Sequence, residues 1–229
     1  MHNIKLWSPN NKKTNLHKFI NQLDKSLNIT NYADLHNWSI KHKNEFWTNV
    51  WDFTNFVGEK KGKIFKSAPE FTNNKFFDEC KINYAENCLT RDDDDDAIIF
   101  HSEKKIKRNY SWKKLRSVVF KFANYLKNNN IEKNDRIAAI LPNIPETVIS
   151  FLSTAQLGAI WSSCSSDFGK KAIIDRFKQI EPKVLLFSDY YFYNNKKVDT
   201  TKIIKDVIYN IPSIEKIILI PYEFNETDY

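Results

Sequence analysis

The run RIAAILPNIPETVISFLSTAQLGAIWSSCS, residues 136–165, decides the fold of this chain. Arg136–Leu141 is continuously apolar after its first residue, and Pro142 ends it. Pro145 then suits the first position of a helix, because its ring fixes φ and its missing N–H is not needed there. The spacing predicts that this helix buries Val148, Phe151, Leu152 and Ala155, and that Ala159–Ser163 is a second strand. A strand buried on both faces shows no polar alternation. Such strands separated by helices therefore predict a parallel sheet covered on both sides.

The same alternation extends in both directions. Downstream come a helix over Lys170–Ile180 using Ala172, Ile173, Phe177 and Ile180, a strand at Val184–Phe187, a helix over Thr200–Tyr209, and a strand at Lys216–Ile220. Upstream, Ala97–His101 and Ile106–Tyr110 are predicted to pair as a hairpin. Ser111 is a good N-cap for a helix carrying Leu115, Val118, Val119, Phe122, Ala123 and Leu126, and Asn128–Asn130 ends it. The fold class is α/β.

Residues 1–90 read differently. Leu16, Phe19, Ile20, Leu23 and Leu27 lie at helical spacing, as do Leu35, Trp38 and His42, then Phe46, Trp47, Val50 and Trp51. Four of the six tryptophans, Trp7 included, precede residue 52, more aromatic surface than a short helical stretch buries alone. Residues 1–90 are therefore expected to form a helical cap. Residues 58–90 are irregular, with a short helix near Asn83–Leu89. The acidic run RDDDDD, residues 91–96, reads as a solvated, self-repelling loop, since consecutive carboxylates seldom converge on one ion. It is the expected boundary, with 91–229 as the α/β part.

Composition excludes several functions. There are only four glycines, Gly58, Gly62, Gly158 and Gly169, so neither a dinucleotide fingerprint nor a P-loop is complete. Cys80, Cys88 and Cys164 are odd in number and form no CxxC pair, which points to a reducing compartment. MHNIKLWSPN has no apolar signal core, and no stretch approaches the roughly 20 apolar residues of a membrane span. A cytoplasmic protein is expected. The net charge of +7 is spread along the chain, and lysine outnumbers arginine 30 to 5, a bias that an AT-rich genome produces without any demand for nucleic-acid binding.

Three segments are candidates for chemistry. Ser162–Gly169 is a strand-to-helix turn, where a helix N-terminus offers N–H groups to an anion; Ser165, Ser166 or Asp167 could equally cap that helix. Tyr191–Lys197 follows the 184–187 strand, so Lys196 or Lys197 either meets a phosphate or is a solvated loop lysine. The third is the basic set Lys104, Lys105, Lys107, Arg108, Lys113, Lys114 and Arg116, with Tyr110 and Trp112. It fits either a nucleic-acid surface or an exposed hairpin and helix face. All five histidines lie within the first 101 residues, so Cys164 has no adjacent base in the sequence and reads as a buried thiol. No metal-ligand spacing is present.

The strings LPNIPETVISFLSTAQLGAIWSSCSSDFG and DRFKQIEPKVLLFSDYYFYNNKK resemble acetoacetyl-CoA synthetases of the adenylate-forming acyl-CoA synthetase superfamily. YADLHNWSIKHKNEFWTNVWDF and INYAEN resemble the N-terminal region those enzymes share with acetyl-CoA synthetases. The resemblance runs from Tyr32 to Tyr222. It implies acetoacetate activation by Mg-ATP to an acyl-adenylate, then displacement of AMP by the thiol of coenzyme A. Acetoacetate, ATP with Mg2+, and coenzyme A would be the small-molecule partners of a complete enzyme. No nucleic-acid or membrane partner is implied.

The family's Ser/Thr/Gly-rich phosphate loop ending in lysine, its aromatic-threonine-glutamate segment and its small C-terminal domain would all follow residue 229. The chain thus looks like the first third of such an enzyme, with no catalytic residue or metal ligand of its own. It is expected to be inactive without the missing portion. Within the resemblance, Tyr193 to Lys196 match the loop that meets coenzyme A phosphates, and Ser166–Asp167 match a turn bordering the same ligand. Asn134 and Asn195 stand where relatives carry glycine, and Ser166 where they carry proline. Asparagine tolerates left-handed backbone best among the non-glycine residues.

Overall fold

The computed structural model describes residues 14–104 and 106–223, so Trp7, His2 and Lys105 lie outside the described residues. These form two compact units, divided between Ile82 and Asn83.

In the first unit, α1 (Asn15–Gln22) is capped by the Thr14 hydroxyl, which accepts from His17 N, and α2 (Tyr32–Lys41) by Asn31, whose side chain accepts from Asp34 N. With α3 (Lys43–Phe53) they bury Phe19, Leu23, Leu35 and Trp38, joined by Phe46 and Phe53 edge-on to Phe19. Two short strands, β1 (Phe65–Lys66) and β2 (Lys75–Phe76), pair antiparallel in the stretch read as irregular.

The second unit opens with α4 (Tyr84–Cys88) and the predicted hairpin, β3 (Asp96–His101) and β4 (Lys107–Ser111). Ser111 caps α5 (Trp112–Asn128), its hydroxyl accepting from Lys114 N. Asn130 then turns left-handed at φ +61°. Next come β5 (Arg136–Ile140), α6 (Pro145–Gln156), β6 (Ile160–Cys164), α7 (Lys170–Lys178), β7 (Val184–Ser188), β8 (Tyr190–Tyr193), β9 (Lys196–Asp199), α8 (Thr201–Asn210) and β10 (Lys216–Ile220).

Strands β10, β7, β5 and β6 form a parallel sheet in that order. Both faces are apolar, as the continuous runs predict. Ile137, Ala139, Val184 and Leu186 pack on one side with Leu126 and Ile220. Ala138, Ile140, Leu185 and Phe187 pack on the other with Ile173, Phe177, Ile204 and Val207 of α7 and α8.

Two helix faces differ from expectation. On α6, Val148 is exposed and Ile149 is buried, together with Ser150, Ser153 and Thr154. The Ser153 and Thr154 hydroxyls enter a core because each finds a carbonyl: Ser153 donates to Ile149 O (2.8 Å) and Thr154 to Ser150 O (2.8 Å). A reading that follows only apolar residues rotates the face. On α7, Ala172 is exposed and Ile174 takes its place. Among the described residues, no helix is long and apolar enough to cross a membrane.

Candidate functional site

Parallel sheets place ligands outside the carboxyl ends of their strands, where successive connections leave in opposite directions. Here α6 carries the chain from β5 outward to β6, while α8 carries it from β7 the other way to β10. The switch lies between the carboxyl ends of β5 and β7.

Residues after β7 organise this end. Asp189 Oδ1 accepts from Tyr190 N (2.9 Å) and from Tyr222 N beyond β10 (2.9 Å). Ser188 Oγ donates to Tyr190 O (3.0 Å), and the Thr200 hydroxyl donates to Ser188 O. These bonds root an ordered element where the sequence predicts a loop. Tyr191–Lys197 belongs to an antiparallel hairpin, β8–β9, in which Tyr193 pairs with Lys196 and Phe192 with Lys197. Asn194 and Asn195 form its two-residue turn, both left-handed at φ +49° and +60°. That pair between two strand-like runs is the sequence signal that would have found the hairpin.

Residues directly opposite in a hairpin share a face. Tyr190 and Phe192 face inward, their rings 5.4 and 5.5 Å from Tyr222, and Lys197 Nζ lies 3.5 Å from the Tyr190 ring centroid. Tyr193 and Lys196 therefore stand together on the opposite face, both exposed. Tyr191 shares it. Its phenol is pushed above its ordinary range, first by burial and then by the negative charge of Asp167 and by Tyr193.

In the Ser162–Gly169 turn Ser166 is buried, and its hydroxyl has no hydrogen-bond partner among the described residues. The capping alternative does not hold: the N-cap of α7 is Gly169, with no side-chain cap bond. Cys164 is buried, and burial pushes its thiol up to about 11, against a smaller opposing effect of Arg176. It stays protonated at neutral pH, as the structural reading of this cysteine expects.

The other segments disperse. Arg91 holds Asp93 and Asp95 within the acidic run, at 2.7 and 2.5 Å, and stacks over Trp112. Within the basic set, Arg108 and Tyr110 turn inward. Both bond Glu146 at the start of α6: Arg108 Nη1 at 2.6 Å, Nη2 at 3.1 Å, and the Tyr110 hydroxyl at 3.2 Å. Among the described members of the set, these two are thus taken out of any exposed strip. Nothing in the sequence marks the Arg108–Glu146 pair, since its members lie 38 residues apart on different elements.

This doubly wound sheet, with a candidate site at its carboxyl end, matches a known class. The model of the AMP-binding enzyme family matches residues 85–227, more than half of the chain, and the chain belongs to that family. It is 37% identical over 194 residues to the acetoacetyl-coenzyme A synthetase of Rhizobium meliloti (strain 1021), covering 85% of this chain and 30% of that one. To the acetoacetyl-CoA synthetase of Xenopus tropicalis it is 34% identical over 230 residues, covering 95% and 33%. Its fold is that of the acetoacetyl-CoA synthetase from Streptomyces lividans, with a TM-score of 0.85 at 28% identity, over 94% of this chain and 35% of that one. The chain spans about a third of the length of these relatives.

Proposed function

We propose that this chain is the N-terminal, coenzyme A-facing part of an ATP-dependent acetoacetate–CoA ligase, converting acetoacetate, ATP and coenzyme A to acetoacetyl-CoA, AMP and pyrophosphate. The observation that carries the reading is the pairing of Tyr193 with Lys196, both exposed on one face of the β8–β9 hairpin that follows β7. Coenzyme A is polyanionic at its nucleotide end. Lys196 would meet a phosphate as a point charge, and the Tyr193 ring and hydroxyl would line the same wall. Asp167 suits a neutral donor of that ligand, an amide or hydroxyl, because a phosphate beside a carboxylate is repelled. Magnesium would accompany ATP. Among the described residues there is no group of three or more His, Cys, Asp or Glu that could hold an ion. The three free cysteines support a reducing, cytoplasmic setting.

The test is calorimetric titration of the 229-residue chain with coenzyme A. Saturable binding is expected, weakened about fivefold to tenfold in Lys196→Ala, the effect of one charge-assisted contact in a solvated site. No saturable binding, or equal binding by the variant, overturns the coenzyme A assignment. No acetoacetate-dependent pyrophosphate release is expected from this chain alone. Measurable release would show that the ATP-handling groups lie within it.

A further inference from the structure

The hairpin tip that carries Lys196 is already holding an anion. Asn194 and Asn195 are both left-handed, and their N–H groups point out of the turn rather than across the ladder. Each donates to one oxygen of a single carboxylate: Asn194 N to Glu103 Oε1 at 3.2 Å, and Asn195 N to Glu103 Oε2 at 2.7 Å. Glu103 comes from the β3–β4 turn, 91 residues earlier. That turn is held ready by Ser102, whose hydroxyl accepts from Lys104 N (3.2 Å) and Ile106 N (3.1 Å). Lys104 adds a second cation at the hairpin, with Nζ 5.4 Å from the Phe192 ring centroid.

We infer that these two backbone N–H groups beside Lys196 are a phosphate seat, and that Glu103 is an internal stand-in which the incoming phosphate displaces. The inference rests on the coenzyme A reading above and adds a regulating contact to that site. The alternative role, in which Glu103 props up the hairpin, fits less well. The hairpin has its own supports: four paired positions, two asparagines at the turn, and the Tyr190–Phe192–Tyr222 cluster at its base. What the carboxylate does add is a negative charge on donors next to Lys196, where a phosphate would otherwise bind. Glu103 is exposed, so its release returns it to water at little cost. Two anions cannot share one donor pair. The apparent affinity for phosphate is therefore reduced by the fraction of time that Glu103 is seated.

Titration of wild type, Glu103→Ala, Glu103→Gln and Lys196→Ala with coenzyme A tests this. Both Glu103 variants are expected to bind about fivefold more tightly than wild type, and Lys196→Ala more weakly. Amide exchange gives a second reading. The Asn194 and Asn195 N–H groups should lose protection in ligand-free Glu103→Ala and regain it with coenzyme A. If Lys196→Ala weakens binding but the Glu103 variants match wild type or bind worse, displacement is overturned while the coenzyme A site stands. If wild type does not bind coenzyme A saturably, both fail.

Discussion

Buried under the first turn of α6, the Glu146 carboxylate takes both Nη atoms of Arg108 and the Tyr110 hydroxyl, while the guanidinium stacks on Phe100. Their side chains are 10% and 7% exposed, so water cannot replace a lost partner. Removing one member of a buried pair leaves the other charge unmatched, at a cost of about 3–5 kcal/mol. Glu146→Ala should lose that much in urea unfolding, and Lys107→Ala, exposed on the same strand, within about 0.5 kcal/mol of nothing. Equal losses would mean that the pair is effectively solvated. At this scale little was legible beforehand. Arg108 looked like one more basic residue, because ion pairing between β4 and α6 is a product of the fold and leaves no periodic trace. Ser166 and Asp167 were visible only as members of a turn; that Ser166 is buried with an idle hydroxyl depends on what packs around it.

At the scale of elements, apolar periodicity made the helices and sheet strands legible. Arg136–Ile140 and Lys216–Ile220 form where continuous apolar runs placed them, and the Ser111 cap starts α5 where its spacing said. The β8–β9 hairpin escaped because its strands are short and half aromatic and half charged, so no hydrophobic pattern announces them. Its mark is the turn. Asn195 at φ +60° occupies backbone that costs other L-residues about 1–2 kcal/mol and asparagine less. Asn134 is also left-handed, at φ +71°. Asn195→Gly should therefore leave stability level or raise it slightly. Asn195→Val should lower it by about 1–2 kcal/mol in denaturant unfolding, with the loss concentrated in amide protection across Tyr190–Asp199. A valine variant as stable as wild type would mean that the turn readily relaxes to another type.

At the scale of the whole molecule, β10 sets the next constraint. Lys216–Ile220 is apolar on both faces, a pattern suited to a strand covered on both sides. Ile218 and Ile220 pack inward, yet Ile217 and Leu219 are about half exposed, at 47% and 51%. Beside them a groove of about 320 Å³ is lined by Val118, Phe122, Tyr125, Ile149 and Ile220. Among the described residues, no strand pairs with the outer side of β10. An apolar strand whose outer edge is unpaired among the described residues, with one lysine at its start, lacks the charges that guard natural edges against other chains. The 229-residue chain, about a third of its relatives' length, should accordingly self-associate as its concentration rises. Leu219→Lys places a cation mid-strand at a half-exposed position, where it disfavours strand addition without entering the core. In sedimentation velocity at two concentrations, wild type should gain faster-moving species and Leu219→Lys should stay monomeric, with melting temperatures within a few degrees of each other. A wild-type chain that stays monomeric throughout would mean that the edge is already covered. If both variants associate alike, the contact lies elsewhere, and the exposed aromatic side chains of the first unit, Phe71 and Phe76 among them, become the surface to alter.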